Sequence, residues 1–498
     1  MQPALREASG ILASVTLCDV DRLRTLDPLR IQAFSARLRA ADMASFASRL
    51  ARSGRGLDDA LRAPVRIWHA RRSPEPAAIL VRLFMLRDPI APEDAVRTLG
   101  DLAALRDAGL LEDSAEGLVS RAHLALAADV PCFGDPPGSD PDAVMPMGGA
   151  TLELIRALVP RAVNAALDVG CGAGSVALHL ARAGTRVVAT DIDPRALSWA
   201  RFNADLNGID TIDFRCGDLF EPVRGERFDR IAAHPPFMAC AHGESRSTFV
   251  HGGPRGDELA QRLLQGAPAH LTDSGRLVMV ADWPVVTGDP LAERMRARLG
   301  HCPVGLLILQ SPTKNLDEYC ALCAAVECAG LGPEFVQSAL RKRDHYERLG
   351  ISSVTFVVVV VEASKAAWTS LVPVRHPTDA PVTAEGIERL LATHALAHLG
   401  DVGRARLRLP EGTALVLQPL PDGSEPAVIV RLPASRPEWP PVLDASTASL
   451  VHLIAQAPSV GHAAEQATST HRDASAFEAD DVLRAAREAL RRGVLEPH

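Results

Sequence analysis

The chain has no apolar run long enough to cross a bilayer: its longest, Val354 to Val361, reads instead as a buried strand. The N-terminal stretch is polar and lacks an apolar core, so no signal peptide and no membrane partner are expected. The nine cysteines are scattered without a paired framework, which points to a reducing, cytoplasmic setting. Basic surplus is also missing. Lys and Arg number 53 against 61 Asp and Glu, a formal net charge of −8, and this disfavours a broad nucleic-acid footprint. Cys320, Cys323 and Cys328 have neither a second pair nor a histidine at zinc-site spacing, so no metal is expected. What is present is ordinary globular material. The chain is 47% hydrophobic over 498 residues, enough for two to four domains.

The most informative stretch is Ala165 to Gly174. Leu167 to Val169 ends an apolar strand, Gly170, Gly172 and Gly174 turn the chain, and Ser175 to Ala183 has helical spacing. Such a loop lets a ligand approach the main chain without a Cβ in the way. A second β-branched strand ends in Asp191, about 20 residues on, where a carboxylate is placed to take a ribose. The helix from Pro194 to Leu206 follows, with Asp193 as its expected cap. A third strand leads to Asp218, and a fourth, Phe228 to Ala233, runs into His234-Pro235-Pro236-Phe237.

These ordered motifs resemble the class I S-adenosylmethionine-dependent methyltransferases over residues 143–363. The nearest subgroup carries Asn-Pro-Pro-Phe/Tyr after strand four and methylates amino groups of nucleic-acid bases and of protein glutamine. Ala200-x-x-Asn203-x-x-x-Asn207-Gly208 and His251-Gly252-Gly253-Pro254-Arg255-Gly256-Asp257 are similar to that subgroup as well. The resemblance implies an α/β, Rossmann-like, seven-stranded core and S-adenosyl-L-methionine as cofactor, leaving S-adenosyl-L-homocysteine. It further implies that Asp168 receives the donor's ammonium and that the loop of Gly170, Cys171, Gly172 and Gly174 lies against the donor. Asp191 and Ile192 would hold the ribose side, and Asp218 and Leu219 the adenine. His234, Pro235 and Phe237 would face the acceptor, with His234 also near the donor. Histidine at 234 departs from the pattern. Three roles remain open for it: general base, hydrogen-bond acceptor in place of asparagine, or a residue that only shapes the pocket. His242, Glu244 and His251 in the following loop suit a lid or substrate-selecting segment.

Residues 1–130 read as helices ending in a winged-helix-like module, with Leu118 to Leu126 as the wing, and are expected to serve assembly, a homodimer included. Arg49, Arg52, Arg55, Arg62, Arg66, Arg71 and Arg72 form either a solvated face or an anion patch, which Asp58 and Asp59 dilute. Only Arg106 stands on the would-be recognition helix, which favours packing over DNA. Pro131 to Asp142 reads as a linker. Met145 to Gly149, before a helix at Thr151, is expected to close over the donor pocket. Strands five and six are expected at Arg276 to Ala281 and Val304 to Leu309, with a helical insertion at 313–349. Residues 383–498 read as an α+β, winged-helix-like domain of three strands, Arg404 to Leu409, Thr413 to Leu417 and Ala427 to Leu432, with a turn at Pro421 to Ser424, and three helices. Function is then methyl transfer to nitrogen, or less readily oxygen, of a small molecule or peptide. The alternatives are a ribosomal RNA base or protein glutamine, and an inactive regulatory protein of the same fold.

Overall fold

The computed structural model describes residues 17–52, 59–127, 130–136, 142–158, 162–240, 249–328, 332–376, 379–418, 427–434, 436–438, 441–470 and 477–498. Arg55, Asp58, His242, Glu244 and the turn at 421–424 lie outside them. Short β-branched runs build the central sheet: β1 (Ala165–Val169), β2 (Arg186–Asp191), β3 (Ile212–Cys216), β4 (Phe228–Ala233), β5 (Leu271–Val286), β6 (Val304–Asn315), β7 (Ile351–Ala363) and β8 (Trp368–Pro373). Their spatial order is β8-β6-β7-β5-β4-β1-β2-β3. Only β7 runs antiparallel to its neighbours. The valines from Val357 to Val361 are buried on both faces, which is why this strand shows no alternation in the sequence.

Seven strands were expected and eight are present. Trp368–Pro373 adds to the edge, parallel to β6, and stands in what reads by composition as a connector. Strands five and six are longer than their apolar centres, because their ends carry the polar residues of the sheet's rim. The order of connection reverses between β1 and β4: from β1 the chain goes outward to β2 and β3, then returns to β4. In open α/β sheets a ligand crevice forms at that switch point, outside the carboxyl ends of the strands.

Helices cover both faces. On one lie α1 (Gly149–Ala157), α2 (Ser175–Arg182), part of α3 (Pro194–Asn207) and, later in the chain, Ile387, Leu390 and Leu391. On the other lie α4 (Glu258–His270) and α5 (Leu291–Leu299), packed on Ile231, Met279 and Trp283. α6 (Leu316–Glu327) and α7 (Pro333–Arg348) form a helical hairpin between β6 and β7. Asp193 caps α3 by accepting from the Arg195 N–H at 2.9 Å, and Pro194 occupies the first turn.

The N-terminal helices do not stand apart from the sheet domain. One core runs from Cys18 through to Leu206, and α3 contributes Trp199 and Phe202 to it. Phe84 meets Phe133 edge-on at 5.2 Å, and Phe133 meets Phe202 at 6.2 Å. The proline-rich stretch taken as a linker begins as a buried strand, Val130–Gly134, paired with His123–Ala127. Asn203 holds it there. Its side chain accepts from the Phe133 N–H at 2.8 Å and donates to the carbonyls of Phe133 (2.8 Å) and Ala173 (2.9 Å). Asp135, fully buried, pairs with Arg195 at 2.6 Å and accepts from Trp199 Nε1 at 3.2 Å. A wing was expected at Leu118 to Leu126; instead two hairpins share that stretch, the first being Leu111–Ser114 with Gly117–Ser120. Ser120 and Ala122 turn the chain between them.

Several arginines of the N-terminal cluster are spent on neighbours. Arg49 pairs with Glu75 at 2.6 Å, Arg71 with Asp88 at 2.5 Å, and Arg72 lies over the Trp68 ring. At the other end, residues 414–418, 427–431 and 442–443 form a three-stranded sheet. Leu407–Arg408 joins the C-terminal Glu496–Pro497 instead, because Leu407 packs into the helical core there.

Removing the Asn203 side chain leaves the buried N–H and carbonyl of Phe133 without its bonds and the Ala173 carbonyl with only the weak Cys132 thiol donor. Asn203→Leu should therefore lower stability by roughly 3 kcal/mol, read as a shift of the urea midpoint at constant slope. A change below about 1 kcal/mol would mean that water replaces the side chain.

Candidate active site

The donor loop leaves β1 at Gly170, which begins a tight turn bound to the neighbouring strand. The N–H groups of Gly170 and Cys171 both donate to the Thr190 carbonyl, at 2.8 and 2.9 Å. Gly174 has φ +86°, and a Cβ there would stand 2.9 Å from the Ala200 Cβ, so the loop reaches α2 only with glycine at this point. Gly170 and Gly172 have nothing within 4 Å of where a Cβ would be, which leaves open space above the turn.

Asp168 is 2% exposed, and one carboxylate oxygen accepts from the Ala177 N–H at 2.9 Å. Burial pushes its pKa up to about 7. Its partner is thus the first turn of α2, and it braces the loop from beneath. Asp191 ends β2 with both oxygens engaged: Oδ2 accepts from the Gly172 N–H at 2.8 Å and Oδ1 from the Asp193 N–H at 2.9 Å. Burial raises its pKa, opposed by those backbone N–H groups. Each oxygen keeps lone pairs beyond the one bond it makes, so the carboxylate can still take two hydroxyls. Ile192 beside it is 60% exposed, an apolar side chain left open at the strand end.

Asp218 follows β3 and pairs with Arg262 of α4 at 2.5 Å. Sequence reasoning missed that arginine, 44 positions away. Leu219 has φ +46°, a left-handed conformation for a branched side chain. Its carbonyl accepts from the Thr190 hydroxyl at 3.2 Å, which ties the segment back to β2. Cys171 is buried, and burial raises its thiol pKa well above the usual range, so it packs the loop as a neutral group.

His234 stands just past β4, across the switch point from the loop. Its Nδ1 lies 3.1 Å from the Thr151 hydroxyl of α1. The ring is half-buried, yet its packed surroundings lower the pKa to about 4, so it is neutral near pH 7. Phe237 tilts against it with ring centroids 5.7 Å apart. Pro235 is buried between them, and Pro236 is half-buried. Thr151 was not among the expected site residues. The signal was its place two residues beyond Gly149, in the segment expected to close the pocket.

The glycine-rich segment after the motif packs beneath it. His251–Gly253 pairs in parallel with Met238–Ala239. A Cβ on Gly252 would collide with the carbonyls of Pro236 and Gly256, so glycine alone lets this strand pass under the motif. His251 contacts Glu327 of α6 at 3.0 Å, and Lys342 of α7, 1% exposed, reaches the same oxygen at 2.9 Å. Glu327's pKa is lowered by His251 and Lys342, against its own burial. Of the three lid residues, His251 is thus a buried strut between the helical hairpin and the motif. Cys320 and Cys323 are buried in α6.

The glycine loop, Asp191 and His234 therefore stand at the carboxyl ends of β1, β2 and β4, where open α/β sheets form their ligand crevice. The residues fit a donor with ribose hydroxyls, since an open glycine turn adjoins a carboxylate with unused acceptor capacity. Asp191→Ala should leave the chain folded and weaken S-adenosyl-L-homocysteine binding by on the order of 2 kcal/mol, about thirtyfold. Titration calorimetry on a variant with unchanged melting checks this, and unaltered affinity would remove Asp191 from the donor site.

The family described as methyltransferase small domain matches residues 147–302. A release factor glutamine methyltransferase of Xylella fastidiosa is 36% identical over 163 residues, covering 27% of this chain and 59% of that protein. Another, from Cereibacter sphaeroides, is 31% identical over 258 residues, covering 49% of this chain and 85% of its own length. The solved ribosomal protein L11 methylase of Lactobacillus delbrueckii subsp. bulgaricus is 27% identical with a TM-score of 0.21, covering 27% of this chain and 59% of that one. The chain thus spans about three fifths of the Xylella relative's length. With the switch-point crevice and its ordered motifs, this similarity places the chain in the class I S-adenosylmethionine-dependent methyltransferases.

Proposed function

We propose that the protein is an N-methyltransferase whose acceptor is the side-chain amide of a glutamine in a protein or peptide. The observation that carries this is the neutral His234, held by Thr151 at the head of the His-Pro-Pro-Phe loop and opposite the donor loop. Support comes also from the relatives, which are named glutamine methyltransferases. A ribosomal RNA base fits the net charge of −8 less well. A small-molecule acceptor rests on the departure from asparagine at 234, and a histidine that is neutral at working pH weakens that argument.

Chemically, the donor supplies an electrophilic methyl on a sulfonium. What this chain supplies is position. If Nδ1–H donates to the Thr151 hydroxyl, the Nε2 lone pair is left free to accept one amide hydrogen, as an asparagine carbonyl would. The Pro235 carbonyl at the same loop suits the second. Both bonds would withdraw amide hydrogens from the line of attack and turn the nitrogen toward the donor. Phe237 offers a ring on which a planar amide can lie. Asp191 and the loop it braces would hold the donor, and α1 would close the crevice through Thr151.

Incubation with isotope-labelled donor and a protein fraction containing release factors and ribosomal proteins tests the reading. Peptide mass spectrometry should find one added methyl on a glutamine side chain; label confined to small molecules or to RNA would overturn it. The His234 role gives a second measurement. With a pKa near 4, the ring gains its proton only as pH falls through that value. His234 should therefore impose no acid limb between about pH 6 and 9, and His234→Asn should stay within about threefold of wild type across it. His234→Ala should lose about 100-fold through misplacement of the acceptor. A fall of about 100-fold to 10,000-fold in His234→Asn would mark a general base instead.

A further inference from the structure

The acceptor side holds an ionisable group that neither the motif nor the donor loop accounts for. Asp282 lies near the carboxyl end of β5, and unbroken register fixes its neighbours. Met279 pairs with Ala233 on β4, and Asp282 itself pairs with Phe356 on β7. Side chains alternate between faces along a strand. Val278 and Val280 pack with Ala232 and with Leu154 and Ile155 of α1, whereas Met279, Ala281 and Trp283 pack on the opposite face. Asp282 therefore shares the α1 face with His234, whose ring meets Thr151 of that helix. One strand spacing and two residues of rise separate them, roughly 8 Å between Cα atoms.

The surroundings of Asp282 leave hydrogen-bonding capacity unspent. Burial raises the Asp282 pKa, opposed by the charge of Lys314 at the end of β6 and by a hydrogen bond from Tyr319 on α6. Asp282 has no cation within ion-pairing distance among the described residues. The Tyr319 hydroxyl is buried, its residue 2% exposed, and hydrogen-bonds the Asp282 carboxylate, which keeps further acceptor sites beyond this one bond. A half-buried carboxylate with the Tyr319 hydroxyl beside it thus stands about two residues outward from the motif histidine.

We propose that Asp282, with the Tyr319 hydroxyl beside it, reads the acceptor: the carboxylate accepts a hydrogen bond from an N–H next to the group that is methylated. This rests on the assignment of the His-Pro-Pro-Phe loop as the transfer site. For a peptide acceptor that N–H is a main-chain amide flanking the glutamine, because Asp282 lies two residues outward from the motif histidine along β5. Asp282 is a specificity-determining residue, and its loss acts on acceptor binding more than on the transfer step.

The test uses the full chain with Asp282→Asn, Asp282→Ala and Asp282→Glu. Calorimetry with S-adenosyl-L-homocysteine reports the donor site, and methylation of a short peptide with one central glutamine reports KM and kcat. Donor affinity should hold within about twofold, while KM rises about tenfold or more in Asn and Ala and kcat moves less. Glu should recover part of the loss. Peptides with the main-chain N–H on either side of the glutamine replaced by N–CH3, one at a time, supply the second arm. One of them should lose a similar factor with wild type and lose nothing further with Asp282→Ala. Unchanged KM in both variants, with donor binding intact, overturns the inference and leaves the transfer site standing. A wild-type protein that binds the donor product but methylates no glutamine peptide overturns the transfer-site reading, and this inference with it.

Discussion

Asn203 sits where three stretches of backbone meet, and the site's position depends on it. Its amide bonds both the N–H and the carbonyl of Phe133, so it pairs that residue as a neighbouring strand would, and its remaining hydrogen reaches the Ala173 carbonyl in the donor loop. A side chain that mimics backbone is the economical way to dock a strand end on a helix. Any other residue would leave buried donors and acceptors unpaired. Asp135 and Arg195 reinforce the junction about two turns earlier on α3. The consequence is that the N-terminal region and α3 share one core, tied to the donor loop through Asn203. The helical front end is a wall of the site domain rather than a module tethered to it.

A second constraint acts on the acceptor side. His-Pro-Pro-Phe is supported from beneath by Gly252 and from the flank by α6 and α7, through His251, Glu327 and Lys342. The Ala239 N–H donates to the Tyr346 hydroxyl at 3.0 Å, a further tie between α7 and the motif. Burying a lysine is costly unless it is paired, and Glu327 supplies the pairing along with an anchor for His251. The insertion between β6 and β7 therefore positions the motif, and it brings Tyr319 beside Asp282, next to Lys314 at the end of β6. Donor and acceptor sides are held by different parts of the chain and meet only at the carboxyl ends of β1 and β4.

The two halves of the site differed in how plainly they could be read. The donor side is local. A glycine turn, Asp191 and the cap at Asp193 each act within a few residues of their own strand or helix, so spacing alone located them. The acceptor side is not. Thr151 is 83 residues from His234, and Glu327 is 76 from His251. Such pairs leave no periodic trace. Asp282 falls just past the expected end of strand five, and only the register of β5 against β4 and β7 decides which face it shares.

By itself, then, the sequence determined what depends on local backbone chemistry: the alternation of strands and helices, the turn after β1, the caps of α3 and the loop after β4. It determined the class of reaction through those motifs. Only the tertiary structure decided the eighth strand, the burial of the supposed linker and the state of His234. Edge pairing at Trp368–Pro373 is a property of β6, not of the added strand. The segment at Val130–Gly134 becomes a strand because Asn203 and the 123–127 strand satisfy its backbone. His234 has an ordinary imidazole in the sequence; the packing around its ring keeps it neutral, and that is a matter of desolvation, which no neighbour in the sequence supplies.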